Sequence, residues 1–328
     1  TRGASGYILS KLVNKIENMV VASADLSESD QTAGFLKGTK PFVKGNFSGA
    51  FLNAGVSELS MAAVMNGMAL HGGIIPVCGT FFVFSDYMKP AVRLAALMEL
   101  PIIYIWSHDS FRVGEDGPTH QPIEQEAQIR LLEKVKNHSG ENSLLALRPA
   151  DGAETITAWR MALENRKTPT ALIFTRQKIK DLPPVYGSSR VKEARMSHRG
   201  AYILYEPEED PDLVLIGNGS EVYMLYEVAR ILDQERGIPA RLVSAISEGL
   251  FREQDILYQK RVIPEDLPVF GVTAGLPVTL QGLVGSQGEV YGMNHFGYSA
   301  PANVLDEKFG FTTNNIISKI EEFMNKRK

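Results

Sequence analysis

Two imidazoles and three carboxylates, His108, Asp109, Glu115, Asp116 and His120, fall within the stretch SHDSFRVGEDGPTHQPIE, Ser107 to Glu124. Imidazole exchanges or donates a proton near neutral pH, and carboxylates accept hydrogen bonds from hydroxyls. The set therefore suits proton transfer and the gripping of a polyhydroxylated substrate. On polarity alone, a solvated surface loop fits it equally well. Gly114, Gly117 and Pro118 mark a shaped turn rather than a continuing helix. The apolar run before it, Pro101 to Trp106 (PIIYIW), reads as a buried parallel strand. That places the histidines at the carboxyl end of a strand, where open α/β sheets hold their ligands.

Such a loop needs a sheet behind it. Met19–Ala24, Ile74–Thr80, Pro101–Trp106, Leu144–Leu147 and Thr170–Phe174 read as strands, with helical stretches between them at Gly55–Leu70, Tyr87–Met98 and Gly152–Asn165. This alternation implies a parallel sheet with helices on both faces. From Gln177 to Arg199 the pattern gives way to polar residues around Pro183, Pro184 and Gly187, a linker candidate. A second series follows, with strands at Ala201–Tyr205, Leu213–Gly217, Ala240–Ala245 and Val269–Thr273, a helix at Glu221–Arg236 and a terminal helix at Thr312–Lys328. The expected architecture is α/β, two doubly wound domains over 1–180 and 200–328, the second smaller, joined by a linker over 181–199.

The 328 residues are about twice a typical domain, and 44% hydrophobic with 22% charged is ordinary for a soluble globular chain. A net charge of -4 gives no reason to expect nucleic-acid binding, which normally shows a basic face. Cys78, the only cysteine, lies in the apolar run IIPVCGTFFVF and reads as a core residue; a disulfide framework or thiolate metal cluster is excluded. No apolar stretch reaches the roughly 18 to 20 residues that span a bilayer. The opening TRGASGYILSKL lacks the layout of a signal peptide. A cytoplasmic protein, or part of one, is expected.

Four motifs give the loop a context: GEDGPTHQPIE itself, SADL at Ser23–Leu26, TRQ at Thr175–Gln177 and FGYSAP at Phe296–Pro301. In order and spacing they resemble the pyrimidine-binding and C-terminal domains of transketolase, a thiamine diphosphate enzyme, from Arg2 to the end of the chain. Deoxyxylulose-phosphate synthase and the beta subunits of 2-oxo-acid dehydrogenases share the layout but differ around the histidine loop. The resemblance implies transfer of a two-carbon ketol unit between phosphosugars, by a cytoplasmic homodimer of the pentose phosphate pathway. It gives Glu58, which position alone would read as a helix-dipole partner, the role of bonding and activating the cofactor's aminopyrimidine. Phe81, Phe84 and Tyr87, whose spacing alone would read as packing, become the stacking platform for that ring, with Phe82 turned to the core. Arg2, Ser29, His108 and Arg176 match positions that hold the sugar phosphate, arginine forks suiting phosphate oxygens. Asp25 matches a carboxylate near the thiazolium. Asp116 matches a reader of a substrate hydroxyl, and His120 a hydrogen-bond donor to a developing alkoxide.

The family also carries a GDG motif, followed by asparagines, that holds the diphosphate through Mg²⁺ or Ca²⁺; no GDG occurs here. No metal ligand is therefore expected on this chain. The expectation is the C-terminal half of the enzyme, as a subunit or a fragment, supplying half of each site and relying on an N-terminal domain or subunit for the rest. A non-catalytic assembly or regulatory subunit is the reading from another class, and the retained Glu58, Phe84, His108 and His120 argue against it. Ser57 stands where the family usually has arginine, Leu59-Ser60 replaces an aromatic-small pair, Phe111-Arg112 an Ile-Gly-like pair, and Thr273 a glutamate. Arg112 is expected to place a bulky cation near the entrance and alter acceptor preference.

Overall fold

The computed structural model describes residues 1–185 and 187–327. The first sheet has six parallel strands: β1 Met19–Ser23, β2 Phe51–Asn53, β3 Ile75–Phe81, β4 Ile103–Ser107, β5 Leu145–Leu147 and β6 Thr170–Phe174, in the order β2-β1-β3-β4-β6-β5. Every residue of β3, β4 and β6 is buried, as strands covered on both faces require. Alternation along β4 explains how. Ile103 and Ile105 pack into a cluster with Leu9, Trp159 and Phe174, while Tyr104 and Trp106 pack into another with Met61, Met65 and Phe82. Register brings the carboxyl ends level: Ser23 pairs with Asn53 and Gly79, Phe81 with Ser107, and Ser107 with Phe174.

The second sheet holds β7 Tyr202–Tyr205, β8 Leu213–Gly217, β9 Ala240–Ser244, β10 Val269–Val272 and β11 Glu289–Tyr291, in the order β11-β10-β8-β9-β7. Its strands run parallel except β7, which is antiparallel to β9. The fold is thus the expected α/β pair of wound sheets. β2 and β11, each three residues long, carry no local apolar run and owe their extended form to their neighbours. The helix Arg2–Leu12 was likewise not legible in the sequence pattern.

Residues 177–199 are more than a polar connection. Helix Arg190–Ala194 and a 3₁₀ turn at Arg195–Arg199 occur there. Arg190 bonds Asp151 at 2.6 Å and the Tyr202 hydroxyl at 2.8 Å, tying the segment to both halves. Tyr186, within this segment, lies outside the described residues. So does Lys328, the last residue of the expected terminal helix, which runs Thr313–Asn325 with the Thr312 side chain as its cap. Among the described residues no helix is long and apolar enough to cross a membrane.

Candidate active site

The carboxyl edge of the first sheet collects every residue that the sequence singled out for chemistry. Asp25 lies two residues beyond β1, and Ser29 sits in the one-turn helix Ser27–Asp30. Glu58 is the first residue of helix Glu58–His71, the next element after β2. Phe81 ends β3, Phe84 ends the 3₁₀ turn after it, and Tyr87 is in helix Ser85–Leu97. His108 follows β4 directly, and Arg176 lies just past β6. From β1 the chain leaves to β2 on one side and returns to β3 on the other. That reversal of strand order marks the part of the edge where wound sheets bind their ligands.

Rings form the centre of the group. Phe81 stacks on Phe84 with centroids 5.9 Å apart, and Phe84 on Tyr87 at 6.0 Å, so the three make one aromatic line. His108 stacks on Phe81 at 3.6 Å, and His120 sets its ring edge-on to Phe84 at 5.4 Å. Phe82 is fully buried, facing the core as expected, while Tyr87 is 63% exposed. Phe81 itself is buried between His108 and Phe84, so the end of the line at Phe84 and Tyr87 is the part suited to a flat heteroaromatic ring.

Basic residues close one end. Arg2 donates from Nε to the Arg176 carbonyl at 3.2 Å and from Nη1 to the Ser29 carbonyl. The two guanidiniums lie close enough that burial and then the charge of Arg176 hold Arg2 below its ordinary pKa. Asp30, which the sequence reading passed over, fixes this corner. Its buried carboxylate accepts from Ser23 Oγ at 2.7 Å, Thr32 Oγ1 at 2.7 Å and Thr32 N at 2.8 Å. Burial nevertheless raises its pKa to about 6.

His108 is the buried member, and its Nδ1 shares a hydrogen bond with Ser107 Oγ at 2.8 Å. Burial, then the charges of Arg2 and Arg176, lowers its pKa from 6.5 to about 3. The fold therefore binds fewer protons here than the unfolded chain. This contribution to stability is complete above the ordinary imidazole range and is lost as pH falls from about 6.5 towards 3. An NMR titration should find His108 neutral from pH 8 down to pH 5. A bound phosphate ester should move its transition upwards, because an anion offsets the two arginines. Arg176→Gln should raise the Kd for that ester about 10- to 100-fold, the range for a lost charge-assisted bond of 1.5–3 kcal/mol. An unchanged Kd would mean that Arg176 does not hold a phosphate.

Glu58, Asp25 and Asp116 share the edge without bonding the residues above. Glu58 is only 8% exposed, and its side chain makes no hydrogen bond or ion pair among the described residues. With no partner in the chain, its two oxygens are left to accept a hydrogen bond from a ligand or donate one to it. Asp25 and Asp116 are exposed. Asp25 and His108 both have φ of 63°, a left-handed conformation that non-glycine residues seldom keep. They lie just past β1 and β4, the strands on either side of β3, and such a conformation persists only where the surroundings over-determine it.

One expectation is overturned. Arg112 is not a free cation at the entrance but 6% exposed, its guanidinium bonded to Asp306 at 2.7 Å and Glu221 at 2.6 Å and lying over the Phe111 ring. A guanidinium this buried has to be paired, and the second half of the chain supplies its carboxylates. Asp109, grouped by sequence with the chemical residues, is also structural: its Oδ2 accepts from Arg148 Nε at 2.9 Å and Nη2 at 2.7 Å. Thr273 is buried in the second half, its hydroxyl accepting from Gly275 N. Cys78 is fully buried in β3 and its thiol pKa is pushed up by burial. Among the described residues no group of three or more His, Cys, Asp and Glu is arranged to hold a metal.

Comparison with known proteins accords with this geometry. Residues 1–181 match the family model for the transketolase pyrimidine binding domain, and residues 200–312 that for the transketolase-like TK C-terminal domain. A transketolase of Halalkalibacterium halodurans is 40% identical over 325 residues, covering 99% of this chain and 46% of the relative. One from Aquifex aeolicus is 42% identical over 323 residues, covering 98% and 45%. The solved transketolase of Leishmania mexicana superposes with a TM-score of 0.88 at 36% identity, covering 99% of this chain and 45% of that one. A split-gene transketolase described as an inactive beta4 tetramer shares the fold along 98% of its own length, with a TM-score of 0.74 at 22% identity. The chain spans about half the length of the curated relatives it matches.

Proposed function

Because this chain belongs to the transketolase family, we propose that it is the C-terminal portion of a ketol-transfer enzyme and contributes half of a thiamine diphosphate site. The half in question is the pyrimidine side. Its support is one convergence: an aromatic line open at Tyr87, a glutamate side chain without a partner and a two-arginine corner lie along a single sheet edge. A flat aminopyrimidine needs a stacking face and a carboxyl to bond a ring nitrogen, the parts taken here by the aromatic line and Glu58. When bound, thiamine diphosphate supplies the nucleophilic carbon and the electron sink.

The chain's own side chains do the rest. Phe84 and Tyr87 bear on the pyrimidine ring while Glu58 bonds it. Arg2, Arg176, Ser29 and neutral His108 receive the sugar phosphate, far from the reacting carbons, and so orient the substrate. Asp116 accepts from a sugar hydroxyl. His120 donates a hydrogen bond to oxygen as charge develops on it. Asp25 adds a negative charge opposite a cationic ring.

Residues 1–180 would form the pyrimidine-binding domain, 181–199 the connection and 200–328 the C-terminal domain. The diphosphate and its Mg²⁺ or Ca²⁺ are assigned to an N-terminal transketolase domain or subunit, and the working form to a cytoplasmic homodimer acting on pentose phosphates. The test is a donor assay on the reconstituted enzyme. Xylulose 5-phosphate should be cleaved and its two-carbon unit passed to an aldose phosphate. Consumption of pyruvate without that transfer would instead favour a deoxyxylulose-phosphate synthase or a 2-oxo-acid dehydrogenase beta subunit.

A further inference from the structure

Between the first sheet and the second lies a buried charge cluster that the proposed chemistry does not use. Arg112, in the loop after β4, donates to Glu221 Oε1 at 2.6 Å, Ser220 Oγ at 3.1 Å and Asp306 Oδ1 at 2.7 Å. Arg148, just past β5, donates to Glu221 Oε2 and Asn218 Oδ1, both at 2.7 Å, and grips Asp109 with two nitrogens. Glu221 therefore holds one arginine on each carboxylate oxygen while being fully buried. Burial would raise its pKa, but Arg148 and Arg112 together keep it below its ordinary value and ionised. It is the first residue of helix Glu221–Arg236, which follows β8 of the second sheet.

The geometry points to Glu221 as a positioning residue, through which the C-terminal half sets the loop that carries His108, Asp116 and His120. This rests on the ketol-transfer reading for what the loop does, and on its hydrogen bonds and ion pairs for what holds it. His108 keeps a left-handed backbone, which persists only where its surroundings over-determine it. The residue after it, Asp109, is fixed by Arg148, and Arg148 is fixed by Glu221. Three residues further on, Arg112 returns to the same glutamate.

Further anchors of the loop lie on the C-terminal half too. Phe111 packs its ring against Phe309 and Phe311, with centroids at 5.1 and 4.9 Å. Gln121 Nε2 donates to the Tyr298 carbonyl at 2.9 Å, and the Ser299 hydroxyl donates to the Glu115 carbonyl. Apolar contacts would hold the loop near; paired guanidinium and carboxylate groups fix its register, because their hydrogen bonds are directional. Catalysis is sensitive to displacements on the scale of 1 Å, so this register matters to the chemistry and not only to folding.

The test compares wild type with Glu221→Gln and Arg112→Gln in the reconstituted enzyme, well below the unfolding temperature of each. The expected result is a kcat lowered roughly 10- to 100-fold, with amide exchange in residues 109–121 faster on the order of tenfold. Exchange in β3, β4 and β8 should be unchanged. If Glu221→Gln does not fold, Asp306→Asn, at the half-buried outer end of the cluster, takes its place beside Arg112→Gln. Unchanged kcat and loop exchange would overturn the proposal. Exchange that rises equally throughout would overturn it as well, since that is the mark of a strut serving stability alone. Should the wild-type enzyme transfer no ketol unit, the functional reading fails while the exchange data still decide whether Glu221 sets the loop.

Discussion

Glu58→Gln in the reconstituted enzyme should lower kcat by roughly 10²- to 10⁴-fold, the range for loss of a positioned acid–base group. The substitution keeps the side chain's shape and removes only its ability to carry and release the proton. The Glu58 side chain makes no hydrogen bond or ion pair among the described residues, so the substitution strands no partner. Its place at the start of helix Glu58–His71 does offer a second role, complementing the helix dipole. That role is worth about 0.3–1 kcal/mol at such a terminus. The two roles separate cleanly. A catalytic Glu58 predicts a large kinetic loss with a melting curve almost unmoved; a dipole partner predicts the reverse. Turnover at the wild-type rate would exclude it as the activating acid.

Arg148→Met should produce the largest loss of stability, about 3–5 kcal/mol, because it strands buried carboxylates without their cation. Arg148 is fully buried and pairs with Asp109, Glu221 and Glu126 at 2.7, 2.7 and 3.4 Å. Its own pKa is raised: burial would lower it, and the three carboxylates outweigh burial. Methionine fills much of the space but balances none of the charge. The sign of the pH effect follows. Without the guanidinium the stranded carboxyls take up protons on folding, so the variant should gain stability relative to wild type as pH falls from 7 towards 5. Urea unfolding followed by the fluorescence of Trp106 and Trp159, both buried in the first half, measures the difference. A loss below about 1 kcal/mol would mean that water reaches the cluster and that it is not the dry hub described above.

Those two residues also show what the sequence could and could not disclose. The place of Glu58 at a helix start was legible because its signal is local, an apolar and small-residue helical stretch that begins beside it. The buried strands β3, β4 and β6 were legible for the same reason, each being a continuous apolar run. Arg148 was not, since its partners stand 39 and 73 residues away and only the packing of two sheets brings them near. Arg112 was misread as a surface cation because its partners, Glu221 and Asp306, lie 109 and 194 residues further along. β2 and β11 failed differently: three-residue strands have too little pattern to register, and pairing with β1 and β10 makes them. The site residues were individually nameable, but not the contacts among them. That His108 stacks on Phe81, or that Arg2 bridges Ser29 and Arg176, follows from strand register and from nothing local.

The half-site assignment has its most direct measurement in a mixing experiment. Ketol transfer from xylulose 5-phosphate to an aldose phosphate is followed with thiamine diphosphate and Mg²⁺ present throughout. This chain is assayed alone, a GDG-bearing diphosphate-binding partner alone, and the two together. Activity in the mixture only, abolished by Glu58→Gln, is the expected result. Full transfer or tight Mg²⁺-dependent cofactor binding by this chain without the partner would contradict the assignment, as would an assembled mixture that transfers nothing.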